Sequence, residues 1–172
     1  MITNHQLDSA TQNPSENFNQ RPLNAEITLI VIHNISLPPS KFNNSYIEDF
    51  FTNKLDTSKH DYFKTIEGVK VSTHLLIKRD GSIIQFVDFD QRAWHAGNSI
   101  YNNTADCNNY SIGIELEGSD DINYETKQYQ SLNHVLSTLK SHYPITNVVG
   151  HSDIAPGRKT DPGPAFEWSQ LT

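Results

Sequence analysis

The chain has 172 residues, enough for one domain with a real core, and its 35% apolar and 19% charged residues are globular rather than fibrous or membrane-spanning. A formal net charge of −7 speaks against a nucleic-acid partner, because phosphate binding rests on clustered Lys and Arg and only the pairs Lys78-Arg79 and Arg158-Lys159 come close. No apolar stretch reaches bilayer-spanning length, no membrane surface is implied, and the single cysteine, Cys107, excludes an internal disulfide and suits a reducing compartment.

Residues 1–25 are polar and rich in Asn, Gln and Ser, and they lack the basic stretch and apolar core of an export signal. They read as a loosely held arm that docks near Arg21-Pro22-Leu23, with the single domain over residues 26–172 and a cytoplasmic location expected. Residues 27–32 (Ile-Thr-Leu-Ile-Val-Ile) are apolar on both alternating faces, as in a central strand covered on both sides, with His33 at its end. Residues 45–55 predict a helix with Ile47, Phe50 and Phe51 on one side and Ser45 as its cap. Residues 71–78 and 83–87 predict two strands, and Asp80-Gly81 between them predicts a hairpin, since Gly supplies the positive φ. Residues 111–118 alternate, with Ile112, Ile114 and Leu116 on one face and Gly113, Glu115 and Glu117 on the other. A long helix is expected over residues 125–143: Tyr129, Leu132, Leu136, Leu139 and Tyr143 step by 3, 4, 3 and 4, and Pro144 stops it. Val148-Val149 predicts a short strand ending at His151, residues 152–164 a Gly/Pro-rich loop, and residues 166–171 a closing short helix. Mixed strands and helices with a hairpin point to an α/β (α+β) fold, a mixed sheet packed against helices.

Three side chains at the ends of these elements suit a metal: His33, His151 and Asp161. Zinc takes neutral imidazole and carboxylate ligands, and catalytic zinc commonly has three protein ligands and water. The spacing alone is no signature of the HExxH kind. Four of the eight histidines, His5, His60, His134 and His142, read as ordinary surface or structural residues.

The segment His151-Ser152-Asp153-Ile154-Ala155-Pro156-Gly157-Arg158-Lys159-Thr160-Asp161-Pro162-Gly163-Pro164-Ala165-Phe166 strongly resembles the zinc loop of type 2 N-acetylmuramoyl-L-alanine amidases. So do Val31-Ile32-His33-Asn34, Val71-Ser72-Thr73-His74, Arg92-Ala93-Trp94-His95-Ala96-Gly97 and residues 111–118, all in the family's order. Together they cover nearly the whole chain after residue 25, and the match is best to the family's cytoplasmic, anhydro-muropeptide-cutting branch.

The resemblance implies a central mixed sheet flanked by helices with zinc in a groove at one sheet face. It implies His33, His151 and Asp161 as Zn2+ ligands, Glu115 as the acid/base group and Lys159 as the cation near the reacting carbonyl. Alternation alone cannot choose between Glu115 and Glu117. The resemblance selects Glu115, which leaves Glu117 as an edge or solvated carboxylate, and Gly113 as space for a groove. Lys159 and Asp161, two apart, point the same way in extended backbone. Substrate contacts are expected from Asn34 and Arg158, from His74 and His95 unless either backs the ligands or packs the core, and from the ring of Trp94 unless it is a core residue. Lys70 departs from a usual Arg, and Asp106 from a usual basic residue before the cysteine. Lys cannot make the two-pronged contact of Arg, so stem-peptide recognition is expected to differ. Cys107 reads as a small buried side chain. The expected partner is a muropeptide substrate, and the expected state a monomer. A non-cleaving peptidoglycan-binding module of the same fold and a zinc peptidase are the competing readings.

Overall fold

Alternation along two long strands decides the architecture. In the computed structural model, which describes residues 1–172, four short strands come first: β1 (Ile2–Thr3), β2 (Gln6–Leu7), β3 (Thr11–Gln12) and β4 (Phe18–Gln20). Then follow β5 (Leu29–Ile35), α1 (Tyr46–Phe51), α2 (Asp61–Thr65), β6 (Leu75–Ile77), β7 (Ile83–Gln85) and β8 (Gln91–Ala93). The chain continues through a ribbon of β9 (Ile100–Tyr101) and β10 (Thr104–Ala105), then β11 (Ser111–Glu117), α3 (Thr126–His142), β12 (Asn147–Gly150) and α4 (His151–Ile154). Six strands form one mixed sheet in the order β12-β5-β11-β6-β7-β3. Its neighbours are parallel except the antiparallel β6–β7 hairpin, where Gly81 takes φ +86.

On one face, Ile30 and Ile32 of β5 and Ile112, Ile114 and Leu116 of β11 pack against Tyr129, Leu132, Val135, Leu136 and Leu139 of α3. Burying each such side chain contributes about 1.5–3 kcal/mol. The opposite face is also covered: Leu29 and Val31 meet Cys107, Val149 and Ile154, and Leu76 meets Ile47, Phe51 and Phe63 of α1 and α2. Burial on both sides explains the continuous apolar run of β5.

Helix α3 forms where its periodicity places it. Glu125 caps it, its N–H donating to Gln128 Oε1 at 3.0 Å. Other elements differ from expectation. β5 runs to Ile35, so His33 lies inside the strand, because β11 pairs with it along its whole length. His151 opens a one-turn helix instead of ending a strand. α1 is shorter than expected, and Ser45 makes no capping bond, while Asn44 Oδ1 accepts the Tyr46 N–H at 3.0 Å. The closing helix is one 3-10 turn, Trp168–Gln170. The first 25 residues are not loosely held. β3 adds an edge to the main sheet, β4 pairs with β8, and Leu7 is 1% exposed. The half-buried Arg21 guanidinium donates to the carbonyls of Phe89, Asn108 and Ser111. Hydrogen bonds fasten the arm, and polar composition conceals that.

Candidate metal centre and active site

Parallel register brings the site together. β11 pairs Glu115 with His33, so both side chains leave the sheet on the face opposite α3. β12 pairs Gly150 with Ile32, which sets the next residue, His151, level with His33. The loop after α4 returns Asp161, whose carbonyl accepts the Ser152 N–H at 3.0 Å.

His33 Nδ1 lies 2.9 Å from His151 Nδ1 and 3.2 Å from Asp161 Oδ2, and His151 Nδ1 lies 3.0 Å from that oxygen. Both histidines are buried, at 1% and 4% exposure. Burial lowers the pKa of His33 to about 4, which keeps it neutral. Burial works against charge on Asp161, but its contacts with His151 and His33 prevail and hold its pKa well below the usual carboxylate range. His151 Nε2 lies 3.1 Å from the Ala96 carbonyl, which can only accept, so Nε2 carries a proton and Nδ1 is turned toward the Asp161 carboxylate. Two imidazole nitrogens and one carboxylate oxygen beside an open groove are a donor set that fits Zn2+.

Glu115 stands next to this triangle at 9% exposure, and its Oε2 has no hydrogen-bond partner. Burial, reinforced by the charge of Asp161 and opposed by Lys159, pushes its pKa well above the usual value. A buried, unpaired carboxylate oxygen is costly and marks a place where chemistry is served. The groove it faces has a volume of about 550 Å³ and is also lined by Asn34, Trp94 and the exposed Lys159. Glu117, on the same strand face, is neither at an edge nor solvated. It is fully buried in a central strand and accepts the Asn43 N–H at 2.7 Å and the Arg79 N–H at 3.1 Å.

The remaining expected contacts divide. Asn34 faces the groove but donates to Asp120 Oδ1 at 2.8 Å and the Pro162 carbonyl at 3.0 Å, which steadies the strand end against the loop carrying Asp161. Trp94 is half-buried on the groove wall, its Nε1 donating to Asn19 Oδ1, and is not a core residue. Lys70 and Arg158 line an adjoining pocket of about 310 Å³, where Arg158 also donates to the Ala96 and Asn98 carbonyls. His74 is fully buried and does not line the groove, with Nδ1 accepting the Gly113 N–H and Nε2 beside the Gln91 carbonyl. It cannot touch a substrate. His95 borders the groove, but its nitrogens face His33 Nε2 at 2.9 Å and Ser111 Oγ at 3.2 Å, so it serves the histidine and not a ligand in the groove. The space beside Gly113 is not groove either: a Cβ there would lie 2.5 Å from His95 Cγ, because the imidazole fills it. Ser111, Asp120 and Arg21 were not singled out for the site. A lone polar residue carries no periodic signal, and only the strand register could have aligned Ser111 with its neighbours.

Residues 23–164 match the N-acetylmuramoyl-L-alanine amidase family. The chain is 48% identical over 173 residues to 1,6-anhydro-N-acetylmuramyl-L-alanine amidase AmpD of Enterobacter cloacae, covering 99% of this chain and 92% of that one. It superposes on a crystal structure of a selenomethionine AmpD derivative with a TM-score of 0.97 at 46% identity, covering 100% of this chain and 99% of that one. The Escherichia coli amidase AmiD, solved with anhydro-N-acetylmuramic acid-L-Ala-D-γ-Glu-L-Lys, is 29% identical with a TM-score of 0.62, covering 91% of this chain and 65% of that one. No helix is long and apolar enough to cross a membrane.

Proposed function

Because the chain belongs to the N-acetylmuramoyl-L-alanine amidase family, we propose that it is a zinc enzyme cutting the amide between 1,6-anhydro-N-acetylmuramic acid and the L-alanine of a stem peptide. The observation that carries this reading is the convergence of His33 Nδ1, His151 Nδ1 and Asp161 Oδ2 beside the unpaired Glu115 oxygen. A zinc ion held by those three atoms supplies Lewis-acid chemistry, acidifying water and polarising a carbonyl. Glu115 takes the proton of the attacking water and passes it to the departing alanine amine, a task suited to a carboxyl with a raised pKa. The Lys159 ammonium, on the groove wall, offsets negative charge growing on the carbonyl oxygen, a contribution of about 100- to 1000-fold in rate.

Trp94 offers its ring to the sugar or the stem, and Asn34, on the groove wall, hydrogen-bonds the substrate backbone. Lys70 and Arg158 place positive charge in the adjoining pocket, where a stem carboxylate can lie. The enzyme then works as a cytoplasmic monomer on soluble fragments in cell-wall recycling. Incubation with a defined anhydro-muropeptide is expected to yield anhydro-muramic acid and an intact peptide by mass. Chelation should abolish turnover and added zinc should restore it. Binding without cleavage would leave a recognition module, and cleavage within the peptide would make it a peptidase.

A further inference from the structure

We propose that His95 and Ser111 form a relay that fixes the tautomer of His33, so that its metal-facing Nδ1 is kept free of a proton before any metal arrives. This rests on reading the His33-His151-Asp161 triangle as a metal centre.

The relay follows from which atoms can only accept. Ser111 Oγ lies 2.6 Å from the Cys107 carbonyl, so the single hydroxyl proton points there. Its oxygen is then left to accept from His95 Nε2 at 3.2 Å, which places a proton on that nitrogen. With that proton on Nε2, Nδ1 of the buried His95 is left as the acceptor toward the one polar atom it faces, on His33. His33 Nε2, 2.9 Å away, therefore donates to it. A neutral His33 has one ring proton, and with that proton on Nε2 its Nδ1 is a bare ligand atom.

The surroundings hold this chain of bonds in place. Asn108 Oδ1 accepts the backbone N–H of His95 at 3.2 Å and of Ala96 at 2.8 Å. The rings of His33 and His95 meet edge to face at 5.0 Å. Gly113 leaves the gap that the His95 ring fills. The other histidine of the triangle reaches the same end by simpler means, its Nε2 donating straight to the Ala96 carbonyl. Both imidazoles are thus turned with Nδ1 inward, one backed by the main chain and one by two side chains. Partners of this kind commonly set metal affinity by about 10- to 100-fold.

The test begins with the metal-free wild-type chain carrying 15N-labelled histidines. Two-bond nitrogen–proton couplings should show His33 protonated at Nε2, and protonation at Nδ1 overturns the relay. Zinc affinity is then measured by chelator competition. His95→Ala should bind about 10- to 100-fold more weakly. His95→Asn, whose Oδ1 can stand near the lost Nδ1, should recover most of that. Ser111→Ala should weaken binding and give mixed His33 tautomers. Wild-type affinity in both His95→Ala and Ser111→Ala overturns the relay. Should His95→Ala not fold, Ser111→Ala and the wild-type spectrum decide. A wild-type chain that binds no zinc would instead overturn the metal-centre reading, and the spectrum of the metal-free chain would still judge the relay.

Discussion

Glu115 and Glu117 leave the same strand on the same side, and their surroundings give them opposite lives. Glu117 is enclosed and has two backbone N–H donors. Glu115 faces the groove with an oxygen left over. Glu115→Gln keeps the size of the side chain but cannot accept a proton. It should retain zinc by metal analysis and lose about 100- to 10,000-fold in turnover. Glu117→Ala should do the reverse. The N–H groups of Asn43 and Arg79 lose their acceptor, at a cost of about 1–3 kcal/mol read from the denaturant midpoint. Zinc should still bind to that variant. If the two variants exchanged these outcomes, the acid/base assignment would move to Glu117.

Among the elements, α3 and the sheet meet along one apolar layer, while the metal triangle lies on the sheet's other face. Leu132→Ala, in the fully buried middle of α3, should therefore lower stability by about 2–5 kcal/mol and leave turnover per folded molecule unchanged. Thermal unfolding and steady-state rates check both halves. Helix α3, the β6–β7 hairpin and β11 were legible in the sequence because each repeats a strong period or carries an Asp-Gly turn. α4 was not, since four residues carry no period. The site was legible in part. Alternation put Glu115 on one face of β11, but only the parallel pairing with β5 makes that the face of His33. Asp161 was a candidate by its ligand chemistry, and the resemblance assigned it, because a loop has no periodicity from which to read direction. For His74, packing decides between the readings the sequence left open: its buried ring meets His95 and does not reach the groove, which no period encodes.

Across the whole molecule, the polar arm closes over the back of the site. Arg21, from that arm, reaches carbonyls at Phe89, Asn108 and Ser111 and packs near His74, whose ring in turn meets His95 and, beyond it, His33. Three imidazoles thus stand in a buried column. Burial holds His33 near a pKa of about 4 and His74 near about 3, and burial followed by the charge of His33 holds His95 well below its ordinary value. In the unfolded chain each would titrate at about 6.5. Below that pH the unfolded state takes up protons that the native state refuses, so stability falls as pH falls through the window from about 6.5 towards 4. The slope should approach about 1.4 kcal/mol per pH unit for each histidine. Denaturant midpoints of the metal-free chain across that window measure it, and a flat profile would mean that the column already carries protons when folded. Mild acid therefore weakens this protein through its core, by offering the open chain protons that the packed rings refuse.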